Sequence, residues 1–177
     1  MSGELGGRRF AAPEGDATRP TGERVREATF NALESLGAVA GARVLDPFAG
    51  SGALGIEALS RGAAQARFVE RDRGAAAVLA ANVEALGLGD RAQVVVGDAR
   101  SAMGSDLPWD LVLLDPPYAA DRWVDLLEAV ASVLAPDGVV VIESDREVPV
   151  PGSLEVIRSK TYGGTVVQFA TLAGAPS

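Results

Sequence analysis

The sequence contains neither cysteine nor histidine. Without cysteine there are no disulfides, no thiolate metal sites and no cysteine nucleophile. Without histidine the commonest general base is missing too. No run of roughly 18 or more apolar residues occurs, and the first residues lack a charged-then-apolar leader. The expectation is a cytoplasmic protein with no membrane segment and no metal. Positive charge is also scarce. Against 24 acidic residues there are 16 basic ones, a net charge of −8, which is the wrong sign for generic attraction to nucleic acid. The imbalance is not uniform. Residues 1–30 hold five arginines and five acids, so the remainder carries the whole −8. A polyanion contact is therefore expected toward the N-terminal third, where Arg19, Arg24 and Arg26 lie, with solvated surface charge as the plain alternative.

What is present is enough for one buried domain. Hydrophobic residues make up 47% of 177, so a core can form. Residues 1–20 read as an arm, with a strand around Arg8–Ala12, and residues 21–177 as a single domain. Thr21, after Arg19-Pro20, is placed to cap a helix whose stripe is Val25, Ala28, Thr29, Ala32, Leu33 and Leu36 before Gly37. Strands and helices then alternate. Strands are expected at Arg43–Asp46, Ala66–Glu70, Gln93–Val96, Leu111–Leu114 and Val139–Ile142. Helices are expected after Gly52, after Asp72, and after Asp121, the last running through Trp123, Val124, Leu127, Val130 and Leu134. Pro136-Asp137-Gly138 reads as a turn. Leu154–Arg158 and Thr165–Leu172, joined by Tyr162-Gly163-Gly164, read as an antiparallel hairpin. Alternation of this kind predicts an α/β fold, a mostly parallel sheet with helices on both faces.

Two stretches carry chemistry. Gly50-Ser51-Gly52-Ala-Leu-Gly55 follows a strand and opens a helix, which fits a nucleoside-cofactor loop, and Glu70 at the end of the next strand is placed to bind ribose hydroxyls. Asp46, at the end of the first strand, would repel a pyrophosphate there but would stabilise S-adenosylmethionine, which carries an ammonium and a sulfonium. Asp98, after the third strand, could accept from an adenine amino group, or act only as a turn or capping acid. The second stretch is Asp110-Leu-Val-Leu-Leu-Asp115-Pro116-Pro117-Tyr118. Its apolar run is a buried strand, stopped by prolines that cannot join a ladder, with an acid and a ring fixed just beyond.

Asp46-Pro-Phe-Ala-Gly50-Ser-Gly52, Glu70, Asp98 and Asp115-Pro-Pro-Tyr118 resemble the motifs of class I S-adenosylmethionine-dependent methyltransferases. Arg19-Pro-Thr21-x-x-Arg24-Val-Arg26-Glu-Ala-Thr-Phe30-Asn31-Ala-Leu33 resembles, more narrowly, the bacterial 16S rRNA guanine-N2-methyltransferase family (RsmD-type). So do Leu54-Gly55-Ile-Glu57-Ala-Leu59-Ser-Arg61-Gly62-Ala63 and Lys160-Thr-Tyr162-Gly163. The resemblance implies a Rossmann-like, seven-stranded sheet with one antiparallel strand, and methyl transfer to the exocyclic amine of a guanine in small-subunit rRNA. Phe48 and Ser51 go with the loop, and Ala99 with Asp98, as candidate cofactor contacts. Asp115, the Pro116 carbonyl and Tyr118 are the candidate catalytic groups. The acid and the carbonyl would orient the amine, and the ring would stack on an extruded base. Arg19, Thr21, Arg24, Arg26 and Tyr162 are candidate substrate contacts. With no thiolate, C5 methylation of cytosine or uracil is not expected. An adenine-N6 methyltransferase on DNA or RNA, a protein glutamine methyltransferase, a nicotinamide-dependent dehydrogenase and a non-catalytic cofactor-binding module are the alternatives. The net −8 favours a substrate in which ribosomal proteins share the docking, a partly assembled small subunit.

Overall fold

The computed structural model describes residues 20–103, 108–116 and 122–175. The arm with its expected strand at 8–12, Arg19, Pro117, Tyr118 and the Asp121 cap lie outside the described residues, as does the side chain of Thr21. Twelve elements follow in order: α1 (Pro20–Ser35), β1 (Arg43–Asp46), α2 (Ala53–Ser60), β2 (Gln65–Glu70), α3 (Arg73–Ala85), β3 (Ala92–Val96), α4 (Ala99–Met103), β4 (Trp109–Leu114), α5 (Trp123–Ala131), β5 (Leu134–Ser144), β6 (Leu154–Tyr162) and β7 (Thr165–Leu172).

Seven strands form one sheet in the order β3-β2-β1-β4-β5-β7-β6. Pairs among β3, β2, β1, β4 and β5 are parallel, and β7 runs antiparallel to both β5 and β6. The expected fold class is thus the observed one. Strands β1 to β3 build outward on one side and β4 returns to the other side of β1, which puts the topological switch point between β1 and β4. In open α/β sheets a crevice opens there at the carboxyl ends of the strands.

Period-two alternation divides the core between the two faces. Val44, Leu111, Leu113, Val139 and Val141 pack with Phe30 and Leu33 of α1, Ile56 and Leu59 of α2, and Leu79 of α3. Leu45, Val112, Leu114, Val140 and Ile142 pack on the opposite face with Met103 of α4 and Leu126, Leu127 and Val130 of α5. Both faces of the central strands are buried, which is why those strands read as continuous apolar runs and not as alternating ones.

Four expectations need correction. First, α1 begins at Pro20, so Thr21 lies inside the helix and not at its cap. Proline suits the first helical position because the N–H it lacks has no partner there. Leu36 follows the helix and is exposed. Second, Leu134 belongs to β5 and not to α5, which ends at Ala131. Third, Pro136–Gly138 is an irregularity within β5. Trp109 pairs with Leu134 but Leu111 pairs with Val139, so the extra residues bow out. A Cβ at Gly138 would lie 2.9 Å from the Trp109 carbonyl and from Leu134, and glycine alone avoids that clash. Fourth, a helix follows β3 where none was expected, because the five-residue α4 is too short to leave a periodic signal.

Two arginines, one on β1 and one on β2, are engaged within the fold. Arg43 and Arg67 place their guanidinium groups 4.9 and 5.2 Å from the Trp109 ring centroid, and Arg43 Nη1 donates to the Pro108 carbonyl at 2.6 Å.

Candidate active site

Acids stand at the carboxyl ends of β2, β1, β4 and β5, as the last strand residue or directly beside it. Glu70, Asp46, Asp115 and Glu143 come from four adjacent strands and share one residue parity, so they fall on the face that carries α1 to α3. Together they border a cleft of about 700 Å³. At about 4.8 Å between neighbouring strands, the acids form a short row across the switch point.

Two of them are held by backbone N–H groups. Glu70 accepts from Gly50 N at 2.9 Å through one oxygen and from Asp72 N at 2.7 Å through the other. Each oxygen keeps a lone pair for a ligand hydroxyl. Asp46 is 1% exposed and accepts from Gly55 N, in the first turn of α2, at 3.1 Å. These bonds decide what the loop can hold. In a dinucleotide site the loop and helix-start N–H groups face a phosphate; here Gly50 and Gly55 already donate to carboxylates. The loop is a cradle walled by acid, and it fits a ligand that carries positive charge and hydroxyl groups.

The loop's shape follows from its glycines. Gly52 has φ +88°, and a Cβ there would meet Leu79 at 2.3 Å. At Gly55 a Cβ would lie 2.3 Å from the Phe68 ring, so α2 sits on β2 only because that side chain is absent. Asn82 of α3 donates to the Ser51 carbonyl at 3.2 Å and braces the loop from behind.

Burial pushes the Asp46 carboxyl up to about 7; the Gly55 N–H opposes this, while Asp115 and Glu70 add to it. Sequence reasoning treated Asp46 as a plain carboxylate. Its folded setting favours the protonated form, and a cation beside it would draw the proton off. Glu143 is likewise raised to about 7, by burial first and then by Asp115, with Arg26 opposing.

Of the candidate cofactor contacts, Asp46, Phe48, Gly50, Ser51, Glu70, Asp98 and Ala99 line the cleft together with Asp115 and Pro116. Gly52 is buried behind it and shapes the turn. Asp98 accepts from Arg100 N at 2.9 Å, the capping contact of a short turn, while remaining at the cleft wall. Arg26 borders a smaller cavity next door, whereas Arg24 is solvent-exposed. Tyr162 packs against the core at the hairpin turn and does not border the cleft. Tyr118 lies outside the described residues. Among the described residues, no group of three or more acids, histidines or cysteines is placed to hold a metal.

Sequence reasoning missed Glu143. Its signal was available, because Glu143 follows the apolar run of β5 as Glu70 and Asp115 follow those of β2 and β4. It also missed what Glu57 and Arg61 do. Both are buried, joined at 2.8 Å, and Arg61 reaches Asn31 at 2.9 Å and Glu34 at 3.1 Å on α1. The pair fastens α1 to α2.

A family profile described as "Conserved hypothetical protein 95" matches residues 1–171. The chain belongs to this family. It is similar to ribosomal RNA small subunit methyltransferase D of Escherichia coli (strain K12), at 38% identity over 92% of this chain and 84% of that protein. It is similar to the same-named protein of Haemophilus influenzae, at 31% identity over 92% and 88%. The solved structure of Escherichia coli yhhF superposes with a TM-score of 0.85 at 34% identity, covering 97% of this chain and 96% of that one.

Proposed function

We propose that this chain transfers the methyl group of S-adenosylmethionine to the exocyclic N2 amine of a guanine in 16S rRNA. The observation that carries the reading is the row of strand-end acids, with the loop and helix N–H groups already bound to two of them. That arrangement favours a cationic, phosphate-free cofactor and sets Asp115-Pro116 beside it. The named relatives support rRNA as the substrate class.

The residues then divide the work. Asp46 offsets the positive charge of the cofactor, Glu70 holds its ribose hydroxyls, and Asp98 with Ala99 meets its adenine. The cofactor, when bound, supplies an activated methyl group. An exocyclic guanine amine is a weak nucleophile because its lone pair is delocalised into the ring. Asp115 and the Pro116 carbonyl accept its two N–H groups, which turns the lone pair toward the methyl carbon. Tyr118 stacks on the extruded base, worth about 1–3 kcal/mol. Positioning supplies most of the acceleration in such an in-line displacement. The proton leaves the nitrogen during or after transfer, and Asp115 or water accepts it, so the missing histidine is no obstacle.

The substrate we favour is a partly assembled small subunit in the cytoplasm, in which ribosomal proteins offset the repulsion between RNA and a chain of net charge −8. Faster methylation of protein-free rRNA than of assembled particles would count against that part. Among the described residues no helix is long and apolar enough to cross a membrane.

The test is transfer of labelled methyl from S-adenosylmethionine to small subunits, rRNA and DNA, with the modified nucleoside identified by mass spectrometry. N2-methylguanosine is expected. A methylated adenine with guanine untouched refutes the reading. Asp115→Ala should abolish transfer while cofactor affinity stays within a few-fold, and full activity in that variant refutes the role given to Asp115.

A further inference from the structure

Beside the cofactor cleft lies a smaller cavity of about 150 Å³. Gly22 and Arg26 of α1 line one part of it, and Ala53, Leu54, Asp115 and Glu143 are shared with the larger cleft. The two spaces therefore meet at the Asp115 and Glu143 carboxyls.

Parallel pairing sets these acids side by side. Leu114 of β4 lies opposite Ile142 of β5, and Asp115 and Glu143 each come one residue later, on strands about 4.8 Å apart. Their parity directs both to the face covered by α1 and α2. Electrostatics gives the same proximity, since Asp115 is the charge that adds to burial in holding the Glu143 proton. Arg26 is the cation facing Glu143, and it is itself held near Glu57 at 3.9 Å and Glu23 at 3.8 Å. The nearby surfaces of Ala53 and Leu54 are small or apolar, as a flat heterocycle requires.

We propose that this cavity takes the Watson–Crick edge of the target guanine, with Glu143 accepting from N1–H while Asp115 accepts from the adjacent N2 amine. The inference rests on the guanine reading above and names the residue that enforces it. Guanine presents two neighbouring donors, N1–H and the N2 amine, and two neighbouring carboxylates are their complement. Adenine presents a bare N1 beside its amine, so an ionised Glu143 would face a lone pair. A site built to hydrogen-bond one pattern rejects the analogue that lacks it, because its own polar group is left unpaired. Arg26 opposes the proton that burial and Asp115 hold on Glu143, and an N1–H donor beside the carboxylate favours its ionised, accepting form further. The simpler role for Glu143, a tether for Arg26 and α1, predicts effects on stability and none on base choice.

The experiment uses the full chain at pH 8, where Glu143 is ionised, and small subunits reconstituted on rRNA ligated to carry one of two bases at the mapped methylation position, guanine or 2,6-diaminopurine. The second base keeps the C2 amine but has a bare N1 and an amine at C6. The wild-type protein should favour guanine in kcat/KM by about ten- to a hundredfold. Glu143→Gln should lower turnover on guanine and bring the ratio toward one, because a glutamine amide can either accept from N1–H or donate to a bare N1. An unchanged ratio in Glu143→Gln, with both substrates slowed equally, overturns the proposal. A wild-type ratio near one overturns it too, and needs no variant. If neither RNA yields an N2-methylated base and label appears on another nucleotide, the guanine reading itself has failed. That outcome is distinguishable because it is seen with the guanine substrate alone.

Discussion

Replacing Asp46 by asparagine removes a charge that the fold has made expensive. An acid that holds its proton more tightly when folded than when unfolded favours the folded state at low pH. The unfolded carboxyl ionises near 3.8 and the folded one near 7. Between those values the unfolded chain releases a proton that the native protein keeps, so native stability falls as pH rises, and the loss is complete above about 7. At 1.36 kcal/mol per pH unit the full loss is about 4 kcal/mol, of which about 2.5 kcal/mol falls between pH 5 and pH 8. The asparagine side chain can still accept from Gly55 N but cannot ionise, so this slope should disappear from the variant. Glu143 titrates over the same range with the same sign, and since it is present in both proteins the difference between them isolates Asp46. Urea denaturation of wild-type protein and Asp46→Asn, without cofactor, at half-unit steps from pH 5 to pH 8 gives the two slopes. The absolute stability of the variant carries less information, because its new N–H groups need partners in a buried site. Equal slopes would refute the burial argument. A companion measurement follows from the same linkage. Below pH 7, S-adenosylmethionine binding to the wild-type protein should release a proton, detected by calorimetry in buffers of different ionisation heat, and binding to Asp46→Asn should be weaker and release less.

Arg61→Ala should cost about 3–5 kcal/mol by taking the close cation away from the buried Glu57, whereas the double change Glu57→Leu with Arg61→Leu should be much milder; chemical denaturation compares them. Gly55→Ala should destabilise by about 1–3 kcal/mol through overpacking against Phe68, and Phe68→Leu should recover part of the loss in the double variant. Glu70→Ala should weaken S-adenosylmethionine binding about tenfold or more, since two loop N–H groups and the ribose contact lose their acceptor together; titration calorimetry reads it directly.

Much of this architecture was legible because the strands are short, apolar and ended by acids or prolines. β1, β2 and β4 could be placed from Asp46, Glu70 and Asp115-Pro116 alone, and the Gly163-Gly164 turn announced the hairpin. The limits of α5 and β5 were not legible, because Leu134 suits a helical stripe as well as a strand. The bowed segment at Pro136–Gly138 has the composition of an ordinary turn. Which acid faces which neighbour depends on strand order and register, and a linear sequence does not state either. Glu143 could be seen as a strand-end acid, but its partnership with Asp115, 28 residues away, exists only once β4 and β5 pair.

The position of β7 bears on how the molecule is made. Among the described strands, the last to leave a ribosome is the one that bridges β5 and β6, so during synthesis β5 must wait with an open edge and β6 without a partner. The acid row, by contrast, is complete once β5 has emerged. A nascent chain can therefore assemble its ligand cradle before its sheet is closed, and early occupancy by a small ligand would hold the parallel half together during the wait. A chain stopped short of residue 165 would retain those acids yet present the long apolar β5 as a bare edge, a template for aggregation.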